Sequence, residues 1–101
     1  MRSTEPALLI MASLAEGAKH GYAITRDVQE IAGVTLGPGT LYGAIARLEE
    51  RGLIEPLEAD DRRRPYRLTR SGAAALREQL TAQERVASVG LRRLSAAEAS
   101  T

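Results

Sequence analysis

Two stretches of this chain carry the same apolar stripe. Ile24, Val28 and Ile31 fall at i, i+4 and i+7, and Leu41, Ile45 and Leu48 repeat that spacing after a turn bounded by Gly33 and Gly37. At 3.6 residues per turn, each stripe occupies one face of an α-helix, and neither face is stable in water. Gly21 opens the first helix and Gly33 ends it. Pro38 suits the first position of the second, where its missing N–H has no partner to lose, and Gly52 closes it. Two helices joined so tightly must press both stripes onto one core, which predicts a helix-turn-helix.

The flanking segments complete that unit. Thr4 is the expected N-cap of an earlier helix, with Glu5 and Pro6 in its first turn and Leu8, Leu9, Ile10, Met11 and Leu14 running to a stop near Gly17. Its apolar residues cover more than one stripe, so one side is expected to meet its own domain and another, at Leu8 and Met11, a partner chain. A polar turn, Glu16 to His20, leads on to the helix-turn-helix. After it, Leu53 to Glu58 and Tyr66 to Thr69 are strand-like around a charged tip, a small β-hairpin in the position of a wing.

From Ser71 a long helical pattern follows, with Ala73, Leu76, Leu80, Ala87, Leu91 and Leu94 on one side and only Gln83 interrupting. Burying a leucine stabilises by roughly 1.5–3 kcal/mol, and a domain of this size has no surface left to cover the far end of such a stripe. The pattern predicts a homodimer seam through Leu76, Leu80, Ala87, Leu91 and Leu94; the other arrangement open to it is a terminal helix folded back on its own domain. The expected fold is therefore mainly α with a small β-hairpin: a winged helix-turn-helix over residues 1–70, a dimerisation helix over 71–95, and a disordered tail over 96–101.

The outer face of the third helix is nearly bare. With Leu41 facing the core, Gly39, Gly43, Ala46 and Glu50 point the opposite way. Glycine inside a helix costs about 1 kcal/mol relative to alanine, so two of them facing solvent do nothing for folding. They do permit close approach, and a major groove about 12 Å wide accepts a helix whose outer groups are small. Thr40 and Tyr42 flank the bare strip with hydroxyl donors, and Arg47 can reach a guanine edge or a phosphate. The net charge of +1 conceals a polarised arrangement: from Arg62 to Arg77 there are six arginines and no acid. Arg62, Arg63 and Arg64 at the hairpin tip suit the backbone or minor groove of double-stranded DNA. Three other readings stay open: a solvated arginine loop, glycines that pack against another helix, and a winged-helix module for protein interaction or small-molecule sensing.

Catalysis is not expected. The chain has one histidine, no cysteine, and carboxylates scattered over exposed positions, so neither acid-base pairs nor nucleophiles converge. His20 is expected as a turn residue with no second histidine to share a metal, and no cofactor is implied. The absence of cysteine fits a reducing cytoplasm, and the apolar run from Ala7 to Ala12 falls far short of the ~20 residues that span a membrane.

Three segments, HGYAI at His20 to Ile24, GTLYGAIARLEERGLIE at Gly39 to Glu55, and RRRPYRLTRSG at Arg62 to Gly72, resemble the PadR family of bacterial transcriptional regulators. The resemblance covers roughly Pro6 to Leu80 and is strongest to small members with a single C-terminal helix. It implies a winged helix-turn-helix homodimer, held by its first and last helices, that represses transcription from a roughly palindromic operator. Carried over residue by residue, DNA contacts fall on Tyr22, Thr40, Tyr42 and Arg47, and on Arg62, Arg63, Arg64 and Tyr66 of the wing. Tyr22 has a second role open to it, packing at the start of its helix. Some relatives release DNA when a small-molecule effector binds near the dimer interface, and some of those pockets stack it on tryptophan. This chain has neither Trp nor Phe, so a stacking pocket at that interface is not expected, aliphatic contact stays open, and the effector is unknown.

Overall fold

A computed structural model describes residues 5–100. The elements run α1 (Pro6–Leu14), β1 (Lys19–His20), α2 (Gly21–Ala32), α3 (Pro38–Glu50), β2 (Ile54–Pro56), β3 (Pro65–Leu68) and α4 (Arg70–Ala99). Pro38 occupies the first turn of α3, as its fixed φ predicts. The helix ends where Gly52 takes a left-handed φ of 74°. There the N–H of Leu53 reaches the Leu48 carbonyl at 3.0 Å and that of Gly52 the Glu49 carbonyl at 3.0 Å, the paired bonds of a Schellman stop. The expected Thr4 cap lies outside the described residues; the residue that caps α1 is Glu5, which makes no side-chain cap bond.

The hairpin is one part of a three-stranded antiparallel sheet, ordered β1-β3-β2. Lys19 pairs with Tyr66 and His20 with Pro65, while Ile54, Glu55 and Pro56 pair with Leu68, Arg67 and Tyr66. The polar turn before α2 thus supplies an edge strand. Lys19 anchors it: its Nζ donates to the Ser13 carbonyl and lies 2.6 Å from Glu16 and 3.6 Å from Asp27, tying β1 to the end of α1 and to α2.

The core is built from aliphatic side chains of every helix, among them Ile10, Ile24, Val28, Leu41, Ala44, Ile45, Leu48, Ile54 and Leu76. Two expectations are corrected here. Ile31, in the last turn of α2, is exposed, and Leu36 from the turn after Gly33 is buried instead. Leu8, Met11 and Leu76, expected on the seam between two copies, are each 4% exposed because α4 lays its first turns on α1. Their apolar surface is spent within one chain.

The start of α4 is held tightly. The Thr69 hydroxyl donates to the Gly52 carbonyl at 2.7 Å and accepts from the Gly72 N–H at 3.0 Å, capping the helix against the end of α3. Gly72 is buried so closely that a Cβ there would sit 1.9 Å from the Leu53 carbonyl oxygen. That neighbour is backbone and cannot swing away. Gly72→Ala is expected to destabilise the fold by about 3 kcal/mol, read from the urea midpoint, whereas Gly90→Ala, with open space around it, should not.

Beyond these turns α4 leaves the body. Its 30 residues span about 45 Å at 1.5 Å each, and the molecule measures 60 × 26 × 20 Å. The helix runs without a break through Gly90 and on to Ala99, so residues 96–99, expected in a disordered tail, are helical. Among the described residues no helix is long and apolar enough to cross a membrane.

Candidate functional site

The outward face of α3 is open in the folded chain. A Cβ built on Gly39 meets nothing within 4 Å, and one built on Gly43 meets only Nη1 of Arg47, at 3.6 Å. No side chain caps the N-terminus, where Gly37 precedes Pro38, so the N–H groups of Gly39 and Thr40 have no intrahelical acceptor; the ladder begins with Leu41 donating to Gly37. Thr40 and Arg47 are exposed beside this strip. The result is a helix end with free donors, a positive dipole and no bulk, which can bring its backbone against an anionic surface.

Tyr42 projects from the other border of the strip and is 52% exposed. Its ring lies over the start of α2 because Gly21 has no side chain: a Cβ there would stand 2.3 Å from the tyrosine hydroxyl. Tyr22, one residue on, is 63% exposed, with the Arg26 guanidinium 5.8 Å from its ring centre. Its ring contact is with Arg26 on its own helix and not with the core.

The wing tip turns in two residues. Asp60 and Arg63 exchange both backbone hydrogen bonds, at 2.7 and 2.8 Å, around Asp61 and Arg62, whose φ angles are 50° and 69°. Positive φ at both central positions is the pattern of a type I′ turn, which favours Asn-Gly, and an arginine there costs about 1–2 kcal/mol in steric strain. Arg62→Gly is therefore expected to raise folding stability by about 1 kcal/mol; an unchanged unfolding midpoint would show the tip unstrained. A long cation kept at a strained position points to a use outside the fold.

Of the neighbouring arginines, Arg63 turns toward α2 and Arg64 back onto the wing. Arg63 brings Nη1 to 3.3 Å from the outer ring nitrogen of His20, whose inner nitrogen caps α2 by accepting from the Ala23 N–H at 3.4 Å. Arg64 donates to the Leu57 carbonyl at 2.8 Å. Arg67 faces away and pairs with Glu55 at 2.7 Å, so it is no part of the site. Tyr66 sits between the wing and α3. Burial, with the Glu49 carboxylate and Tyr42 nearby, raises its hydroxyl above the ordinary 10.0, against the lowering effect of Arg64, so it stays a neutral donor at physiological pH.

The fold thus gathers Tyr22, Tyr42, Arg62, Arg63, Arg64 and Tyr66 around one cavity and leaves Gly39, Thr40, Gly43 and Arg47 on the adjoining helix face. Two members of that cavity had escaped the sequence reading, His20 as cap and arginine neighbour and Gly21 as the seat of Tyr42. Their partners lie 43 and 21 positions away in the chain, and no local pattern reports such contacts. Among the described residues there is no cluster of three or more His, Cys, Asp or Glu that could hold a metal. Of the expected seam, Leu80 and Ala87 are exposed, and Leu91 and Leu94 are 66% and 60% exposed.

Comparison with known proteins agrees with this geometry. The sequence model of the transcriptional regulator PadR-like family matches residues 10–78. A transcriptional regulator of Mycobacterium tuberculosis is 40% identical over 83 residues, covering 79% of this chain and 77% of that protein. A 37.1 kDa protein in a transposon of Streptomyces fradiae is 42% identical over 86 residues, which are 85% of this chain, but the chain spans only 25% of its length. Among solved structures, that of Bacillus subtilis PadR in complex with operator DNA is similar, with a TM-score of 0.67, 25% identity, and coverage of 73% of this chain and 45% of that one.

Proposed function

We propose, from the premise that this chain belongs to the transcriptional regulator PadR-like family, that two copies of it bind a roughly palindromic operator and repress transcription. In each copy the first two turns of α3 enter the major groove. The open outward face of that helix carries the reading: Gly39 and Gly43 have no protein neighbour that would explain their lack of side chains. Thr40, Tyr42 and the free N–H groups of the helix start then hold phosphates, Arg47 reaches a base edge, and Arg62 at the strained wing tip lies in the adjacent minor groove. The structure of the Bacillus subtilis protein with operator DNA supports the assignment by analogy of fold.

The two copies meet through the part of α4 that leaves the body, from Leu80 onward. Leu80, Leu91 and Leu94 present an apolar stripe that one chain leaves in water, and a helix of that length without tertiary support is marginal. Pairing covers the stripe and sets two α3 helices on one side of the dimer, so half-sites are expected about 34 Å apart.

Salt dependence tests the reading. A dimer that neutralises roughly 6–10 phosphates loses about 10³–10⁵ in affinity between 50 and 200 mM salt. A shallow slope would instead favour a protein partner on the same face. Arg47→Ala is expected to cost roughly 1–3 kcal/mol and relax preference at a single base pair, while Arg62→Ala lowers the salt slope by about 1 per subunit. Equal weakening on every sequence by Arg47→Ala would place that residue on phosphate.

A further inference from the structure

The chain contains three tyrosines, one histidine and neither tryptophan nor phenylalanine. All four rings line a single half-open cavity of about 290 Å³ between the start of α2, α3 and the wing. The remaining lining is Gly21, Arg62, Arg63 and Arg64, with no carboxylate. Aromatic side chains usually contribute most to a core, yet this core is aliphatic and only Tyr66 leans on it.

The charge of the lining is equally one-sided, although Glu49 acts on Tyr66 from outside it and Asp60 and Asp61 share the wing tip. Among the described residues none of the three guanidiniums is ion-paired, and Arg62 makes no hydrogen bond. Three cations facing one hollow repel each other unless an anion sits among them, and guanidinium groups match the oxygens of a phosphate in paired bonds. The positive end of α2, at Gly21 and Tyr22, borders the same space. The hydroxyls of Tyr42 and Tyr66 add donors, and the rings offer faces on which a planar group can stack. The volume lies near the lower end of the ~300–1,000 Å³ of small-molecule sites.

We infer that this cavity is a binding site for a free phosphate monoester carrying a planar ring, of mononucleotide size. The same side chains face the duplex in the reading above, so the occupant competes with operator DNA, whose backbone phosphate takes the cavity when the operator is bound. Only this competition rests on the DNA-binding reading; the site itself rests on the lining.

The aromatic ¹H–¹³C spectrum of the labelled protein tests it, because its only ring signals come from Tyr22, Tyr42, Tyr66 and His20. Without DNA and at constant ionic strength, AMP is expected to shift the Tyr42 and Tyr66 signals saturably, at concentrations about tenfold below those needed with adenosine or inorganic phosphate. The double variant Arg62→Ala, Arg64→Ala should lose that preference with an unchanged unfolding midpoint. AMP should also displace labelled operator, at a midpoint above that of the shifts that rises as competing operator binding is made tighter, as mass action requires. Ring signals that do not move, or that respond to AMP no better than to inorganic phosphate, overturn the site. Saturable AMP shifts without displacement of bound operator overturn the competition alone. AMP binding by a protein that shows no operator binding would sink the DNA reading and leave the site standing.

Discussion

Gly43→Leu is expected to fold at least as well as the parent chain and to lose specific operator binding. The replaced position looks outward, and the new Cβ meets only the movable end of Arg47 at 3.6 Å, an ordinary contact. Exchanging glycine for a good helix former in mid-helix stabilises by up to about 1 kcal/mol. On the DNA side, a leucine on the bare strip holds the helix away from the groove floor and displaces Arg47. Affinity should fall to the non-specific level, a loss of about 10³-fold or more. Thermal unfolding and operator anisotropy on the same preparation read both halves. A variant that keeps operator affinity contradicts the close approach; one that unfolds places Gly43 in packing that the structure does not contain.

The second large effect is expected from Leu91→Glu combined with Leu94→Glu. Both side chains lie on the part of α4 that leaves the body, and neither belongs to the core. The folded chain should therefore survive, while two charges on each side of the proposed seam prevent pairing. Sedimentation should give monomer mass. With the two reading helices no longer linked, operator affinity should drop by about 10²–10⁴, the gain that a tethered second site normally supplies. Dimer mass in this variant would move the interface elsewhere.

Much of this architecture was legible because it depends on local periodicity. The stripes Ile24-Val28 and Leu41-Ile45-Leu48, the helix start at Pro38 and the stop at Gly52 each follow from a backbone or burial rule acting within one turn. Periodicity reports that a side chain is buried, but not by what. Leu8, Met11 and Leu76 read as a seam between copies and proved to be core, whereas Ile31 continued a stripe past the end of its contact. Strand β1 was illegible for another reason. Two residues carry no pattern, and Lys19 and His20 become a strand only because Tyr66 and Pro65 come alongside.

The candidate site divides in the same way. Gly39, Thr40, Gly43 and Arg47 could be placed on one face from helix geometry alone. The hollow lined by His20, Gly21 and the three tyrosines could not, because it exists only where α2, α3 and the wing meet. Gly21 read only as a helix start, and Gly72 drew no reading of its own; only the fold shows a tyrosine ring and a carbonyl oxygen in the space a side chain would need.

The most direct measurement is dimethyl sulfate probing of the operator with and without protein. The reagent methylates guanine N7 in the major groove and adenine N3 in the minor groove, so it reports which groove is filled. Two patches of guanine N7 protection about one helical turn apart, lost with Gly43→Leu, are the predicted result. Operator bound at full occupancy with every guanine N7 still reactive would contradict the insertion of α3 into the major groove.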